Sequence, residues 1–203
     1  MRNNDVTSVN HDFQSLNQAL QQIMQSRSIP PLQDWQPKSC GEMDLVIKAN
    51  GEWWHEGSPI QRASMVELFS KVLWQEDGEF YLKTPMEKIK IQVEDAPFQI
   101  HQVEKIEHNG LSYLQFSTPQ GDKVLLDDEH PLEFHAKRNQ QGDLEYRPYI
   151  HLRFGLYGVL QRAVFYHLLE YGELIEQAAQ SILRLESGEQ VFDIAVPNMA
   201  ATT

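Results

Sequence analysis

The residues of this sequence with the clearest capacity for chemistry are bases concentrated between positions 135 and 153. The segment carries four lysines or arginines and two histidines against two acids, in a chain whose formal net charge is −12. The bases are His135, Lys137, Arg138, Arg147, His151 and Arg153. Such a group can bind an anion such as a phosphate or a carboxylate. Scattered bases on a solvated hairpin are the alternative interpretation, and the sequence leaves both open.

The end of this segment predicts a strand with two different faces. Successive strand side chains point to opposite sides, so Tyr149, His151 and Arg153 are expected to share one face. The apolar residues between them are expected to face the core. Tyr149, His151 and Arg153 are therefore candidate ligand-binding residues.

The segment that begins at Gly57 predicts the start of a helix. Ser58 suits the N-cap, Pro59 suits the first helical position, and Gln61 completes a capping-box pattern. Arg62 lies one turn along. Because a helix N-terminus attracts anions, Gly57, Ser58 and Arg62 are also candidate ligand-binding residues. Capping alone would equally account for Ser58.

Two adjacent carboxylates, Glu94 and Asp95, complete the set of candidates. In a nucleotide site they would accept hydrogen bonds from a ribose or a base. A hydrolase that uses them with a histidine is a further hypothesis. Adjacent carboxylates on an extended strand point apart, however, so they rarely share one reacting atom.

The remaining motifs do not identify a reaction. The chain has neither a G-x-G-x-x-G nor a G-x-x-x-x-G-K-[ST] phosphate loop, and it has no G-x-S-x-G elbow or H-E-x-x-H helix. Asp127-Asp128-Glu129-His130 is interpreted as a solvated acidic turn, so neither a metal nor a cofactor is expected. Cys40 is interpreted as a small buried side chain, with a reactive thiol as the alternative.

Composition narrows the class of protein. A hydrophobic content of 41% in 203 residues excludes a disordered chain. The net charge of −12 argues against binding to nucleic acid or to anionic lipid. No apolar run is long enough to span a membrane, and Met1–Asp5 leads into no signal-peptide stretch. A single cysteine fits a reducing cytoplasm.

Residues 1–93 predict an α+β domain with a leading helix. Its expected elements are a helix over 12–27, a hairpin over 43–54 that turns at Asn50-Gly51, a helix from 58 to 73, and strands over 80–83 and 86–93. One of the two tryptophans Trp53 and Trp54 should be less buried than the other, because they point to opposite faces.

Residues 94–203 predict a second domain, an antiparallel meander followed by helices. The expected strands are 98–106, 111–117, 123–126, 132–137 and 144–154, followed by a helix over 156–168 that ends at Gly172 and a last helix through 174–183. Ile60-Gln61-Arg62-Ala63 matches Leu160-Gln161-Arg162-Ala163, which indicates two related units, each closed by an amphipathic helix. Chance similarity of two such helices is the alternative.

Several segments resemble a bacterial family of about this length described as a domain of unknown function. They include Cys40-Gly41-Glu42-Met43-Asp44, Gly57-Ser58-Pro59-Ile60, Val93-Glu94-Asp95-Ala96-Pro97-Phe98 and Arg147-Pro148-Tyr149. The resemblance covers about residues 30 to 172. It implies a duplicated core, a C-terminal half similar to a pleckstrin-homology fold, a nucleotide-like ligand between the domains and a part in signalling.

The leading hypothesis is a non-enzymatic cytoplasmic binding module in bacterial signal transduction. It would hold a small anionic or nucleotide-like ligand between the two domains, with Ser58, Arg62, Glu94, His151 and Arg153 among its contacts. A protein-interaction adaptor that presents a sheet edge or groove to a partner is the first alternative. A hydrolase of unknown type is the second.

Overall fold

The computed structural model describes residues 28–138, 142, 144–177 and 180–197. The helix expected over 12–27 lies outside these residues. Internal contacts divide the chain into two compact units, Met1–Asp95 and Ala96–Thr203. The described parts of both units are mostly β, and neither of the two described α-helices is long and apolar enough to cross a membrane.

The described part of the first unit is a six-stranded mixed sheet with one α-helix. After a short 3₁₀ turn at Leu32–Asp34, its elements are β1 (Ser39–Ile47), β2 (Trp53–His55), β3 (Ser58–Pro59), α1 (Ala63–Lys71), β4 (Leu73–Glu76), β5 (Glu79–Lys83) and β6 (Glu87–Val93). The strand order is β3-β2-β1-β6-β5-β4. The first and last strands, β1 and β6, are parallel neighbours, and every other pair is antiparallel.

One face of this sheet forms the core of the first unit. The alternation predicted for 86–93 places Ile89 and Ile91 inside, where both are buried. The helix α1 contributes Leu68 and Phe69, and the Phe69 ring lies 6.0 Å from that of Trp53. Trp53 is buried while Trp54 is only half-buried, which confirms the expected difference between the two tryptophans.

In the second unit, the described residues form three sheets and one α-helix. Its elements are β7 (Phe98–Ile100), β8 (Gln102–His108), β9 (Leu111–Ser117), β10 (Lys123–Leu125), β11 (Leu132–Arg138), β12 (Leu144–Arg153), β13 (Leu156–Leu160), α2 (Arg162–Leu169), β14 (Glu173–Glu176), β15 (Ser181–Ser187) and β16 (Gln190–Val196). The sheet orders are β10-β9-β8, β11-β12-β13-β7 and β14-β15-β16.

The sheet β11-β12-β13-β7 has a core face and a partly exposed face, which we call the open face and on which Tyr149 and Val159 are buried against Ala96. Ile150 and Leu160 are buried on the core face, where the Phe134 ring meets Phe165 of α2 edge-on at 5.6 Å. The opposite face carries polar rings, including His135 and His151. Because strand side chains alternate, the buried face determines which residues reach the open one.

The predicted last helix is wrong, because its residues form a β-hairpin. Glu173–Glu176 pairs antiparallel with Ser181–Ser187. Within β15, Leu183 and Leu185 are buried while Arg184 and Glu186 are exposed, which is the period of two of a half-buried strand.

The predicted long helix over 156–168 is also wrong in its first part. Leu156–Leu160 is strand β13, and the helix begins only at Arg162. Phe154 and Gly155 both have positive φ, at 51° and 74°, and form a two-residue turn between β12 and β13. This turn type matches the twist of paired strands, so it favours a hairpin over a helix.

The two units share an order of elements. In each, three antiparallel strands precede a helix and three antiparallel strands follow it, as β1-β2-β3-α1-β4-β5-β6 and as β11-β12-β13-α2-β14-β15-β16. The first and last strands of these series are neighbours in both units, since β1 pairs with β6 and β11 contacts β16. Neither helix ends its unit.

Candidate functional site

The open face of the second unit gathers four polar rings, which we call the ring cluster: His135, Tyr149, His151 and Tyr157. The centroid of the His135 ring lies 5.2 Å from that of Tyr149 and 6.0 Å from that of Tyr157. The His151 and Tyr157 centroids are 5.3 Å apart. All three contacts are edge-to-face, which is a favourable arrangement for rings.

The strand register places these rings side by side. Tyr157 of β13 lies directly opposite His151 of β12, and Arg147 of β12 lies directly opposite His135 of β11. Residues two apart on β12 share a face, so Tyr149 lies between the two pairs. Tyr149 is buried, whereas the His135 side chain is 53% exposed and the other two rings are half-buried.

A loop before β11 fixes the orientation of two imidazoles. His151 Nδ1 lies 2.8 Å from the Glu129 carbonyl oxygen. His130 stacks on His151 with ring centroids 6.2 Å apart, and its Nδ1 lies 2.8 Å from Asp127 Oδ1. The Asp127 carboxylate also accepts bonds from backbone N–H groups of the same turn. A ring held at Nδ1 keeps Nε2 as its second polar atom.

The electrostatics of the cluster keep the Tyr157 hydroxyl protonated. Burial raises the pKa of Tyr157, and the negative charge of Glu133 raises it further. Glu133 also lies 3.2 Å from His135, measured from Oε2 to Nε2. The cluster therefore offers a neutral phenol, which can donate a hydrogen bond, beside the imidazoles of His135 and His151.

This electrostatic description predicts the effect of removing one charge. We expect Glu133→Gln to lower the pKa of Tyr157 while leaving it above the ordinary value, because burial still disfavours the phenolate. Tyrosine ring carbons labelled with ¹³C report this titration by NMR. Glu186→Gln is the control, because it removes an exposed carboxylate on β15. It should leave the Tyr157 titration unchanged. An equal change in both variants would contradict this account.

Only part of the predicted site assembles in the second unit. Tyr149 and His151 lie together in the ring cluster. The expectation that Arg153 shares their face is wrong, because the register shifts between His151 and Arg153. The Arg153 guanidinium lies 4.9 Å over the ring of Phe98, the first residue of β7.

Arg153 is a buried structural cation. Its Nη1 donates to Asp122 Oδ1 at 2.5 Å, and both side chains are 11% exposed. Burial lowers the pKa of Arg153, and the Asp122 carboxylate opposes that effect. The pair links the β9–β10 turn to the end of β12, so it holds two sheets of the second unit together.

The predicted N-cap at Ser58 is wrong. Glu56 and Gly57 have φ of 48° and 73°, and they form the two-residue turn of a hairpin in which His55 lies opposite Ser58. Turns of this kind require positive φ at both central positions, which explains the glycine. Gly57 and Ser58 are both exposed, and Ser58 belongs to β3.

The helix α1 begins later than predicted. Arg62 is its N-cap residue, with an extended backbone and no capping bond from its side chain. Arg62 is exposed. Because Ser58 lies in a strand, the two residues do not form the expected helix-start anion site.

Glu94 belongs to a structural contact in the first unit. Its carboxylate accepts a bond from Lys48 Nζ at 2.7 Å and one from the Ala49 N–H at 3.0 Å, so it braces the loop after β1. Asp95 follows it and is half-buried. Cys40 is exposed, so the interpretation of a buried side chain is wrong. No group of three or more metal-ligating side chains occurs within the described ranges.

Sequence patterns alone miss Tyr157 and the stacking of His130. Tyr157 lies inside the segment that helical spacing predicts as a helix. In a helix, Tyr157 would not pair with His151 across two strands, as it does in the structure. The signal that the sequence does carry is Phe154-Gly155, a turn pair between two alternating segments. A hairpin predicted at this pair places Tyr157 beside His151.

The fold and this open face define a two-domain, mostly β protein with a ring-lined sheet surface. Two family models cover most of the chain: the N-terminal domain of DUF1285, a domain of unknown function, matches residues 30–96, and the C-terminal domain of DUF1285 matches residues 97–194. The chain belongs to the DUF1285 family. No curated protein matches the sequence.

Two solved structures resemble the chain. A DUF1285 family protein from Silicibacter pomeroyi DSS-3 is 32% identical, with a TM-score of 0.72 over 86% of this chain and 90% of that one. A DUF1285 family protein from Shewanella baltica OS155 is 31% identical, with a TM-score of 0.46 over 62% of this chain and 90% of that one.

Proposed function

We propose that this protein is a non-enzymatic binding module for a small planar anion of nucleotide-like chemistry, held by the ring cluster of the second unit. The observation that supports it is the concentration of His135, His151 and Tyr157 on one open sheet face of a chain with net charge −12. In a negative molecule, a local group of imidazoles and bases is where an anion is best accommodated.

The two parts of such a ligand have distinct contacts in this proposal. A planar ring packs against the half-exposed rings, since stacking requires only a flat π-face. A phosphate or carboxylate accepts hydrogen bonds from the imidazoles and from the Tyr157 hydroxyl, with Arg147 beside His135 adding positive charge.

We place this binding role in cytoplasmic signal transduction. A binding module that changes no bond acts by altering what else the protein contacts when the ligand is present. The exposed thiol of Cys40, the single cysteine of the sequence, supports a reducing compartment, because such a compartment keeps thiols reduced. The expected pleckstrin-homology likeness is supported by seven strands, β7 to β13, that precede α2 in the second unit.

We also infer that the two units arose by duplication. The shared series of three strands, helix and three strands supports this, as does the match between Ile60-Gln61-Arg62-Ala63 and Leu160-Gln161-Arg162-Ala163, which lies at the start of each helix. Fold likeness does not establish a ligand, so the proposal depends on the ring cluster.

Calorimetric titration with adenosine monophosphate tests the binding role. We expect saturable binding, because the ring cluster offers both flat rings for stacking and hydrogen-bond donors for the phosphate. His151→Ala should weaken binding about tenfold or more, since it removes a hydrogen bond to a charged group. His101→Ala is the matched control, because His101 is exposed and lies outside the cluster. It should leave the affinity unchanged.

Ring signals of labelled histidine and tyrosine give a second measurement that does not depend on affinity. Adenosine monophosphate should shift the signals of His135, His151 and Tyr157 and leave that of His101 in place. Adenosine and inorganic phosphate, titrated separately, show which half of the probe is bound. Equal affinity in His151→Ala and in the wild-type chain would overturn the site. No response to any of the three probes would overturn the ligand class.

A further inference from the structure

The outer edge of β8 is a strand edge at the end of a three-stranded sheet. β8 is the last strand in the order β10-β9-β8, and no described strand pairs with its other side. An exposed strand edge is a template for pairing with another strand. We propose that β8 pairs antiparallel with β8 of a second copy of this chain, which joins two three-stranded sheets into one sheet of six strands.

The backbone of β8 is oriented for such pairing. Leu114 of β9 lies opposite Lys105, and both of its backbone groups face away from β8: its N–H donates to Ser187 Oγ at 3.2 Å and its carbonyl accepts from Leu126 N–H at 2.9 Å. Bonded and non-bonded pairs alternate along an antiparallel ladder. The N–H and C=O groups of Lys105 and Glu107 therefore point to the open edge.

Charge selects one register between the two copies. With a twofold axis centred on Ile106, Lys105 lies opposite Glu107 of the second copy, and Glu104 lies opposite His108 of the second copy. The Lys105 ammonium then meets a carboxylate, the Glu104 carboxylate meets an imidazole that can donate a hydrogen bond to it, and Ile106 meets its own counterpart. Centring the axis on Lys105 would place two ammonium groups opposite each other, which destabilises a strand pair.

The side chains needed for this register are accessible. Glu104, Lys105, Glu107 and His108 are exposed, and Ile106 is half-buried. The segment Glu-Lys-Ile-Glu-His is thus self-complementary when read against itself in the opposite direction. The exposed Lys105–Glu107 pair and its symmetry mate bias the edge toward its own copy over an unrelated strand.

A groove lies beside the first half of β8. It has a volume of about 470 Å³ and lies between this part of β8 and α2, with His101, Lys105 and His167 among its lining residues. In the register centred on Ile106, the Asn109-Gly110 turn of the second copy lies opposite the first residues of β8. That turn is the part of the second copy that would enter the groove.

The molecular mass in solution, measured for the wild-type chain and for charge-reversed variants of β8, tests the proposal. Sedimentation equilibrium should give the wild-type chain twice the single-chain mass of 23.5 kDa. Lys105→Glu and Glu107→Lys should each shift the protein to the single-chain mass, because each places like charges opposite each other. The double variant Lys105→Glu/Glu107→Lys should restore the dimer, since the charges are exchanged and the complementarity returns.

Lys123→Glu is the matched control, because Lys123 lies on β10 at the other edge of the same sheet. It should leave the mass unchanged, and circular dichroism should show that all variants are folded. A wild-type chain of single-chain mass would overturn the proposal. So would a dimer that both single reversals leave intact, or one that the double variant fails to restore.

A cysteine at the symmetry axis gives a direct test of the register. Directly opposed non-bonded residues have Cα atoms about 4.5 Å apart, which lies within the range of a disulfide. Ile106→Cys in a Cys40→Ser background should therefore form a covalent dimer on mild oxidation. Lys123→Cys in the same background should not. Equal cross-linking of both variants, or of neither, would overturn the register.

Discussion

Replacing Asp122 with alanine should lower the free energy of unfolding of the second unit by about 3–5 kcal/mol. The carboxylate is the partner of a buried guanidinium, with Asp122 Oδ1 at 2.5 Å from Arg153 Nη1 and both side chains 11% exposed. Burial already lowers the pKa of Arg153, but arginine stays charged in proteins, so the variant leaves an uncompensated charge in the core.

Amide hydrogen exchange on the full chain is the appropriate measurement, because it resolves the two units. Protection should fall throughout the described part of the second unit, because the Arg153–Asp122 pair links two of its sheets. Asp122 also accepts a hydrogen bond from Thr118 Oγ1 at 3.3 Å in the β9–β10 turn. The double variant Asp122→Ala/Arg153→Met should lose less than Asp122→Ala, because it removes the stranded charge.

An exposed ion pair in the same unit is the control for this prediction. Arg184 and Asp193 form a bidentate pair on β15 and β16, with side chains 43% and 45% exposed. Asp193→Ala should have little effect, because solvent screens exposed pairs. If Asp122→Ala behaves like Asp193→Ala, Arg153 is not a structural cation, and its predicted place among the ligand contacts becomes relevant again.

The sequence predicts most of the strands because their signals are local. Asp77-Gly78 and Asn109-Gly110 form two-residue turns with positive φ at both positions, as turn chemistry requires. The alternation of Ile89 and Ile91 with charged residues likewise determines which face of β6 is buried. Neither feature depends on contacts distant in sequence.

The errors arise where two local patterns compete. Gly57-Ser58-Pro59 has the chemistry of a helix start, but Glu56-Gly57 also has the chemistry of a hairpin turn, and pairing of His55 with Ser58 decides between them. The stretch 174–183 contains apolar residues at helical spacing. Its strand state depends on pairing with β16, which lies later in the chain.

The candidate site depends on strand register, which local patterns do not determine. Simple alternation assigns Tyr149 and His151 to one face, and they share it. The bulge between His151 and Arg153 moves Arg153 away from that face, and no residue type in the segment signals it. Tyr157 and His135 join the cluster through cross-strand neighbours, which alternation within one strand does not reveal.

Gly188→Ala should lower the free energy of unfolding of the second unit by about 2–4 kcal/mol, through a strained backbone and an overfilled contact. Gly188 has a φ of 65° in the β15–β16 turn. A Cβ there would lie 2.5 Å from Cε1 of the Tyr113 ring. The turn also docks on β9, since Gly188 N–H donates to the Ser112 carbonyl at 2.7 Å. Urea denaturation followed by circular dichroism measures the loss.

Gly57→Ala separates the two costs, because Gly57 also has positive φ, at 73°. Apart from Gly57 and its two chain neighbours, no described residue has an atom within 4 Å of the position that an alanine Cβ would take there. Gly57→Ala should show the backbone cost alone, about 1–2 kcal/mol. The double variant Gly188→Ala/Tyr113→Ala should cost less than the two single losses added together, since removing the ring relieves the contact. Equal losses in Gly188→Ala and Gly57→Ala would mean that the Tyr113 ring does not restrict this turn, and that the docking of the β15–β16 turn on β9 tolerates a larger residue.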